Sequence, residues 1–270
     1  MSAEGAHGAP VPAGVEGVTT SALQGELLSL DRVARAFVGS PPIEALRDAT
    51  FAVADGEIVG IVGRSGSGKS TLMNVIGLLD RFTGGTYEIE GRSAANLSDR
   101  EQTGLRSTFF GFVFQQPFLL ASLTVQENVE LALRPRRLTR SDRGTLATQA
   151  LERVGLSRRR FAFPATLSGG EAQRVAIARA IAQEPRVLLC DEPTGNLDER
   201  TTEEIVALLV SAAGTSAAVI MVTHDLVIAR ALPRVLTVRD GIVSDGLDEQ
   251  HLAGRAARPN DVSSGRDRQP

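Results

Sequence analysis

Residues 58–71 read Ile-Val-Gly-Ile-Val-Gly63-Arg64-Ser65-Gly66-Ser67-Gly68-Lys69-Ser70-Thr71. The run Ile58–Val62 is apolar and β-branched, as suits a strand buried on both faces of a parallel sheet. From Gly63 to Ser70 the residues fit G-x-x-x-x-G-K-[ST] at every fixed position. Strand before and helix after is the context this motif needs. The glycines let backbone N–H groups curl around an anion, and the helix N-terminus adds a favourable dipole. Lys69 can reach β- and γ-phosphates, and the Ser70 hydroxyl can ligate Mg²⁺. Lys69 is also the only lysine among 29 basic residues. A chain that uses arginine everywhere else keeps one compact ammonium where a planar guanidinium is too large.

Outward from this loop, other apolar runs end at polar residues. Phe109–Phe114 ends at Gln115, Val187–Cys190 at Asp191-Glu192, and Ala218–Thr223 at His224. Helical stretches separate them: Ser70–Leu79, Glu171–Gln183 and Thr202–Ala212. This alternation predicts a wound α/β core with its chemistry at the carboxyl ends of the strands. Residues 27–60 and 84–90 are strand-like with turns, predicting a small antiparallel β layer. Residues 116–165 are largely helical and Arg-rich, an inserted helical subdomain. Val235–Val238 and Ile242–Val243 flank Asp240-Gly241, a hairpin turn signal. Residues 1–25 and 248–270 lack periodicity and are expected to be flexible tails around a folded unit of residues 26–247.

The composition narrows the options. With 42% apolar and 23% charged residues in 270, the chain holds one large α/β domain or two small ones. A net charge of -3 argues against a nucleic-acid coat. No run of about 18 apolar residues predicts a membrane span, and Met1–Gln24 does not read as a signal peptide. The single cysteine, Cys190, fits a reducing compartment. A cytoplasmic protein is expected.

Asp191 and Glu192 close a strand. Beside a phosphate loop, the first acid is placed to hold Mg²⁺ and the second to polarise an attacking water as general base. Taken alone, the pair reads equally well as a solvated strand end before the turn at Pro193.

Thr166-Leu-Ser168-Gly169-Gly170-Glu171-Ala-Gln-Arg174 lies 23 residues before Asp191. It resembles the LSGGQ signature of ABC-type ATPases. The order phosphate loop, Gln115, Ser168-Gly169-Gly170, Asp191-Glu192, Gly195-Asn-Leu-Asp198, His224 is similar to that family's order over about residues 26–246. The resemblance implies a P-loop NTPase (RecA-like) core with a mostly parallel sheet, an N-terminal antiparallel β subdomain and an inserted α-helical subdomain. It implies a head-to-tail homodimer that sandwiches each ATP between one chain's Lys69 loop (Gly63 to Thr71) and the other's Ser168–Gly170. Ser168 can cap the following helix while Gly169 and Gly170 expose N–H groups. Gln115 resembles the glutamine that contacts Mg²⁺ and the attacking water. His224 resembles the switch histidine at the γ-phosphate, and Asp198 the aspartate at the dimer interface. Phe37 sits where the family places an adenine-stacking aromatic; a core Phe is the rival reading. Glu171 stands where Gln is usual, a departure that brings a carboxylate to a phosphate site. The helix dipole should favour it.

The stretches Gly66-Ser-Gly-Lys-Ser-Thr-Leu-Met-Asn74, Gly85-Thr-Tyr87, Gly111-Phe-Val-Phe-Gln115, Leu123-Thr-Val-Gln-Glu-Asn128 and Asp191-Glu-Pro-Thr-Gly-Asn-Leu-Asp198 resemble ATPases of the macrolide-exporter and lipoprotein-releasing group. This resemblance implies an integral membrane permease as partner, a peripheral position on the inner membrane face, and export or extraction of a hydrophobic or amphipathic substrate. The alternative is a soluble ABC ATPase acting on DNA or ribosomes. Chromosome-type members need a long coiled coil between Gln115 and Ser168, and only 53 positions separate them. No nucleic-acid partner is expected. A GTPase would need a second lysine in its guanine reader. Nine arginines between Arg134 and Arg160 read as a solvated helical face or as a contact for anionic lipid head groups.

Overall fold

The computed structural model describes residues 26–213 and 217–252. The expected tail at 1–25 lies outside the described residues, as does 253–270 of the tail expected at 248–270. In chain order the elements begin with β1 (Glu26–Phe37), β2 (Ile43–Ala54), β3 (Ile58–Gly63), α1 (Lys69–Ile76), β4 (Gly84–Ile89) and β5 (Arg92–Ser93). Then come α2 (Asp99–Thr108), β6 (Phe110–Phe114), α3 (Val125–Leu133), α4 (Arg140–Arg153) and α5 (Gly169–Ile181). The chain continues through β7 (Val187–Asp191), α6 (Glu199–Ala213), β8 (Ala218–Val222) and α7 (Leu226–Ala231). The last elements among the described residues are β9 (Arg234–Arg239), β10 (Ile242–Asp245) and α8 (Glu249–Leu252).

Among the described residues, ten strands form one sheet in the order β5-β4-β1-β2-β10-β9-β3-β8-β7-β6. The strands β9, β3, β8, β7 and β6 are parallel, so their carboxyl ends share one edge. The expected antiparallel layer is β1, β2, β4 and β5. It is continuous with the core through one ladder pair, Ile242 with Asp48. Residues 58–60, read with that layer as well as with the phosphate-loop strand, belong to β3 in the parallel half. Helices cover both faces, which is why the central strands read as unbroken apolar runs. Side chains alternate between two cores. Val187 and Leu189 of β7 join α1 and the antiparallel strands. Leu188 and Cys190 face the other way, against α3–α6.

Two element ends and one whole helix differ from expectation for local reasons. The helix after the phosphate loop stops at Ile76 rather than Leu79. Leu78 turns to φ 57 and the Leu79 N–H returns to Asn74 O at 2.8 Å. The helix expected from Thr202 begins at Glu199, because the Asp198 carboxylate accepts from Thr201 N (3.0 Å). Helix α2 was not expected. Its signal is the capping box Ser98-x-x-Glu101, whose two reciprocal bonds are both made. The Asp240-Gly241 hairpin forms as expected, with φ 49 and 78, the two positive values of a type I′ turn.

The described chain runs on past 247 into α8, where Arg230 pairs with Glu249 at 2.9 Å. Among the described residues, no helix is long and apolar enough to cross a membrane. The arginines of 134–160 do not form one free face. Arg143 donates to Leu138 O, Arg159 pairs with Glu171, and Arg160 lies over the Phe161 ring.

Candidate active site

The parallel strand ends bring the predicted residues together. Registers Gly63–Val238, Ile61–Val222, Asp191–Val222 and Phe114–Asp191 set the loops after β3, β6, β7 and β8 side by side. This is the edge where open α/β sheets bind ligands.

The phosphate loop is braced from below. Ser67 O accepts from Gly241 N (3.0 Å), and Ser67 N donates to Arg64 O (3.1 Å). Gly241 O in turn accepts from Arg47 N and Asp48 N. The hairpin turn therefore ties the loop to β2, a role its sequence does not announce. Lys69 is buried, and its Nζ donates to the carbonyls of Gly63 (2.8 Å) and Arg64 (3.0 Å). Burial lowers its pKa, while Glu192 and Asp191 push it back up. Ser67 Oγ is buried, with no partner among the described residues. Arg64, Ser65 and Gly66 are exposed along the loop rim, with Ser70 exposed and Thr71 half-buried on α1.

Asp191 ends β7 half-buried, and its carboxyl is held above its ordinary range by burial and by Glu192, with Lys69 opposing. The Glu192 backbone is in the left-handed region at φ 46, pinned by its N–H to Val222 O (3.0 Å). Such a conformation costs a non-glycine residue about 1–3 kcal/mol and clusters at functional sites. It turns the side chain toward His224, with Glu192 Oε1 3.3 Å from Nδ1. His224 and Ser65 also line a cleft of 280 Å³ with Gly63 and Arg64. Leu252 of α8 closes the same cleft, a residue the sequence reading left in the tail.

Gln115 follows β6 and reaches the turn after Asp191-Glu192. Its Nε2 lies 3.4 Å from Asn196 Oδ1 and packs against Gly195. Helix α5 holds this segment on both sides. Gln173, buried, donates to Phe114 O (3.0 Å), and Arg179 donates to Pro117 O (2.7 Å) and Phe118 O (3.0 Å). Burial lowers the Arg179 pKa. Neither residue was singled out in sequence. Both look like ordinary helix-surface positions until the loop is folded against them.

Ser168 caps α5, accepting from Glu171 N (3.2 Å) while Glu171 accepts from Ser168 N (2.9 Å). Gly169 and Gly170 pack beside Leu197 and Thr201. Asp198 caps α6 through Thr201, which holds its carboxyl below the usual range. Phe37 ends β1 and is 37% exposed, so it is not a core residue. Arg35 lies over its ring at 4.3 Å and is itself paired with Asp80 (2.8 Å).

These groups fit a nucleotide phosphate chain with Mg²⁺. The loop offers backbone N–H groups, an ammonium and an orphaned hydroxyl at Ser67. Mg²⁺ is usually held by one or two carboxylates together with substrate phosphates, and the Asp191 carboxylate with the exposed Ser70 hydroxyl is a donor set of that kind.

One prediction follows from Asp191. Its raised pKa means that ionisation is disfavoured in the fold. Below the unfolded pKa both states carry the proton and the fold loses nothing. As pH rises through the folded pKa, this group works against the fold. Asp191→Asn is therefore expected to raise the melting midpoint of the nucleotide-free chain at pH 7 by about 2 °C while abolishing Mg²⁺-dependent turnover. A lowered midpoint by calorimetry would sink this account of the charge.

Comparison with known proteins accords with the geometry. The family model described as "ABC transporter" matches residues 46–195. An uncharacterized ABC transporter ATP-binding protein, YknY of Bacillus subtilis, is 40% identical over 229 residues, covering 84% of this chain and 100% of its own. The pyoverdine export ATP-binding/permease protein PvdT of Pseudomonas aeruginosa is 44% identical over 220 residues, covering 81% of this chain. The macrolide export ATP-binding/permease protein MacB of Escherichia coli O157:H7 is 40% identical over 243 residues, covering 88%. The chain spans 33% of PvdT and 38% of MacB. Among solved structures, the dimeric post-hydrolysis ATP-binding cassette MJ0796, bound to ADP and Pi, superimposes with TM-score 0.72 at 39% identity. That match covers 81% of this chain and 97% of the other. The cbiO1 protein of Clostridium perfringens, part of the cbiONQ transporter complex, gives TM-score 0.75 at 27% identity, covering 85% and 92%. Sheet order, loop geometry and these likenesses agree that the chain belongs to the ABC transporter family, as one of its ATP-binding, ATP-hydrolysing cassettes.

Proposed function

We propose that this chain pairs with a second copy around two ATP molecules and drives a separate membrane permease in export or extraction of a hydrophobic or amphipathic substrate. The observation that carries the pairing is the separation of two anion-binding elements. Helix α5, capped by Ser168, packs on α3, α4, α6 and β6, whereas α1, which opens at Lys69, packs on β2, β3, β7 and β8, so in this reading each element is completed by a partner. A two-fold axis makes the exchange reciprocal.

In each site, Gly63–Gly68 and Lys69 bind the β- and γ-phosphates, with Ser70 and Thr71 at the helix start. Phe37 stacks on the base. Ser70, Gln115 and Asp191 hold Mg²⁺, which neutralises charge on the phosphate oxygens when bound. Glu192 takes the proton of the attacking water, and His224 orients that carboxylate and faces the γ-phosphate. Asp198 stands at the interface between copies.

The export direction rests on PvdT and MacB, whose names carry export and permease. Exposed Phe118, Leu120, Phe161 and Phe163 around the α3 N-terminus offer a permease an apolar footing. The test is affinity purification of the full chain from gently solubilised native membranes, with mass spectrometry of what co-purifies. Recovery of a stoichiometric multi-helix protein supports the reading. Recovery only with ribosomes or DNA-associated proteins overturns it in favour of a soluble ABC ATPase.

A further inference from the structure

At Glu171 a carboxylate sits in the first turn of α5, one residue past the exposed N–H groups of Gly169 and Gly170. An unneutralised charge there repels the phosphate those groups are read to bind. The fold supplies a partner from 12 residues upstream. Arg159 Nε donates to Glu171 Oε1 at 2.9 Å, and its Nη2 approaches Oε2 at 3.4 Å. Arg159 ends a 3₁₀ turn, Ser157–Arg159. Its backbone is fixed at both ends, N–H to Leu156 O and C=O from Ala162 N, both at 2.9 Å. Glu171 Oε2 meanwhile accepts from Ser168 N at 2.9 Å. The same carboxylate thus ties the signature turn to a fixed guanidinium.

We infer that Arg159 is a positioning residue for the second phosphate site, which cancels the Glu171 charge and aims its carboxylate back at Ser168. This is what lets Glu stand where an amide needs no partner. The inference rests on the reading of Ser168–Gly170 as a phosphate site. It explains why only one member of the 158–160 arginine triplet matters to the signature. Arg160 is spent on the Phe161 ring.

Arg159 is 46% exposed and Glu171 26%, so solvent screens the pair and as a salt bridge alone it is worth little to stability. Its consequence should appear where phosphate enters. The test uses full-length chains carrying Glu192→Gln, so that ATP-bound dimers accumulate. Dimerisation against ATP is followed by analytical ultracentrifugation. Arg159→Ser is expected to raise the ATP concentration for half-maximal dimer about tenfold. In a chain that also carries Glu171→Gln, the same Arg159→Ser change is expected to cost less than twofold. Equal weakening in both backgrounds, or none in the first, overturns the inference. A merely structural arginine would lower the melting midpoint equally in both. Absence of any ATP-driven dimer in the parental Glu192→Gln chain would overturn the phosphate-site reading itself, and this inference with it.

Discussion

Glu192→Gln is expected to cut ATP turnover by about 10²–10⁴-fold, the usual weight of a positioned general base, while ATP still binds and still drives association. The carboxylate is placed for this by backbone, not by chance rotamer. The Glu192 φ of 46 and its N–H bond to Val222 O turn the side chain away from the strand axis. His224 Nδ1 then holds it at 3.3 Å. Glutamine keeps the length and the hydrogen-bonding oxygen but cannot take a proton. Single-turnover assays separate the two effects: the chemical step should collapse with ATP affinity within about threefold of parent. Undiminished turnover would remove Glu192 from the mechanism and leave His224 or a phosphate oxygen as the proton acceptor.

Gly68→Ala is the second large effect. Gly68 precedes α1 at φ 111, a region closed to side chains. A Cβ there would lie 2.4 Å from Ala45 O and 3.3 Å from Leu46 Cδ2. Ala45 belongs to β2, whose backbone is also tied to Gly241, so the carbonyl cannot retreat cheaply. Strain and overlap together are expected to cost about 3 kcal/mol, a fall of roughly 6–12 °C in melting midpoint. ATP affinity should fall about a hundredfold, because relief of the clash pulls the loop off its anion-binding curve. Gly66→Ala is the internal control. It too has a positive φ, 78, but an added Cβ meets nothing within 4 Å. Its cost should be the dihedral strain alone, about 1 kcal/mol. If both variants melt together, the close approach at Ala45 is not what fixes the loop.

The strands around the site were legible because burial on both faces demands continuous apolar runs, and each run ends at a polar motif. Phe109–Phe114 was read one residue long, since Phe109 pairs its carbonyl with Arg186 and Val187 rather than entering the ladder. Helix starts were less legible. Ser168 caps its helix as expected, and α5 starts at Gly169, two residues before the apolar pattern that begins at Glu171; the Asp198 cap, which the sequence does not announce, moves the start of α6 from Thr202 to Glu199. Helix α2 was missed because it has no buried residue and so no apolar stripe to see.

Long-range partners escaped entirely. Arg179 and Gln173 grip the Gln115 segment from 59 to 62 positions away. Gly241 braces Ser67 from the far end of the chain. Nothing local in those residues differs from a surface helix or a hairpin turn.

The sequence by itself determined which motifs the chain carries and their order: the glycine-rich loop and the paired carboxylates at strand ends, and the signature turn at a helix start. It could do so because each is a local arrangement whose backbone conformation depends on its own few residues. Only the tertiary structure decided which distant groups hold those pieces in place. Arg159 against Glu171, Gly241 under Ser67, and Arg179 on the Pro117 and Phe118 carbonyls are contacts between segments brought together by packing, and packing is a property of the whole chain rather than of any stretch within it.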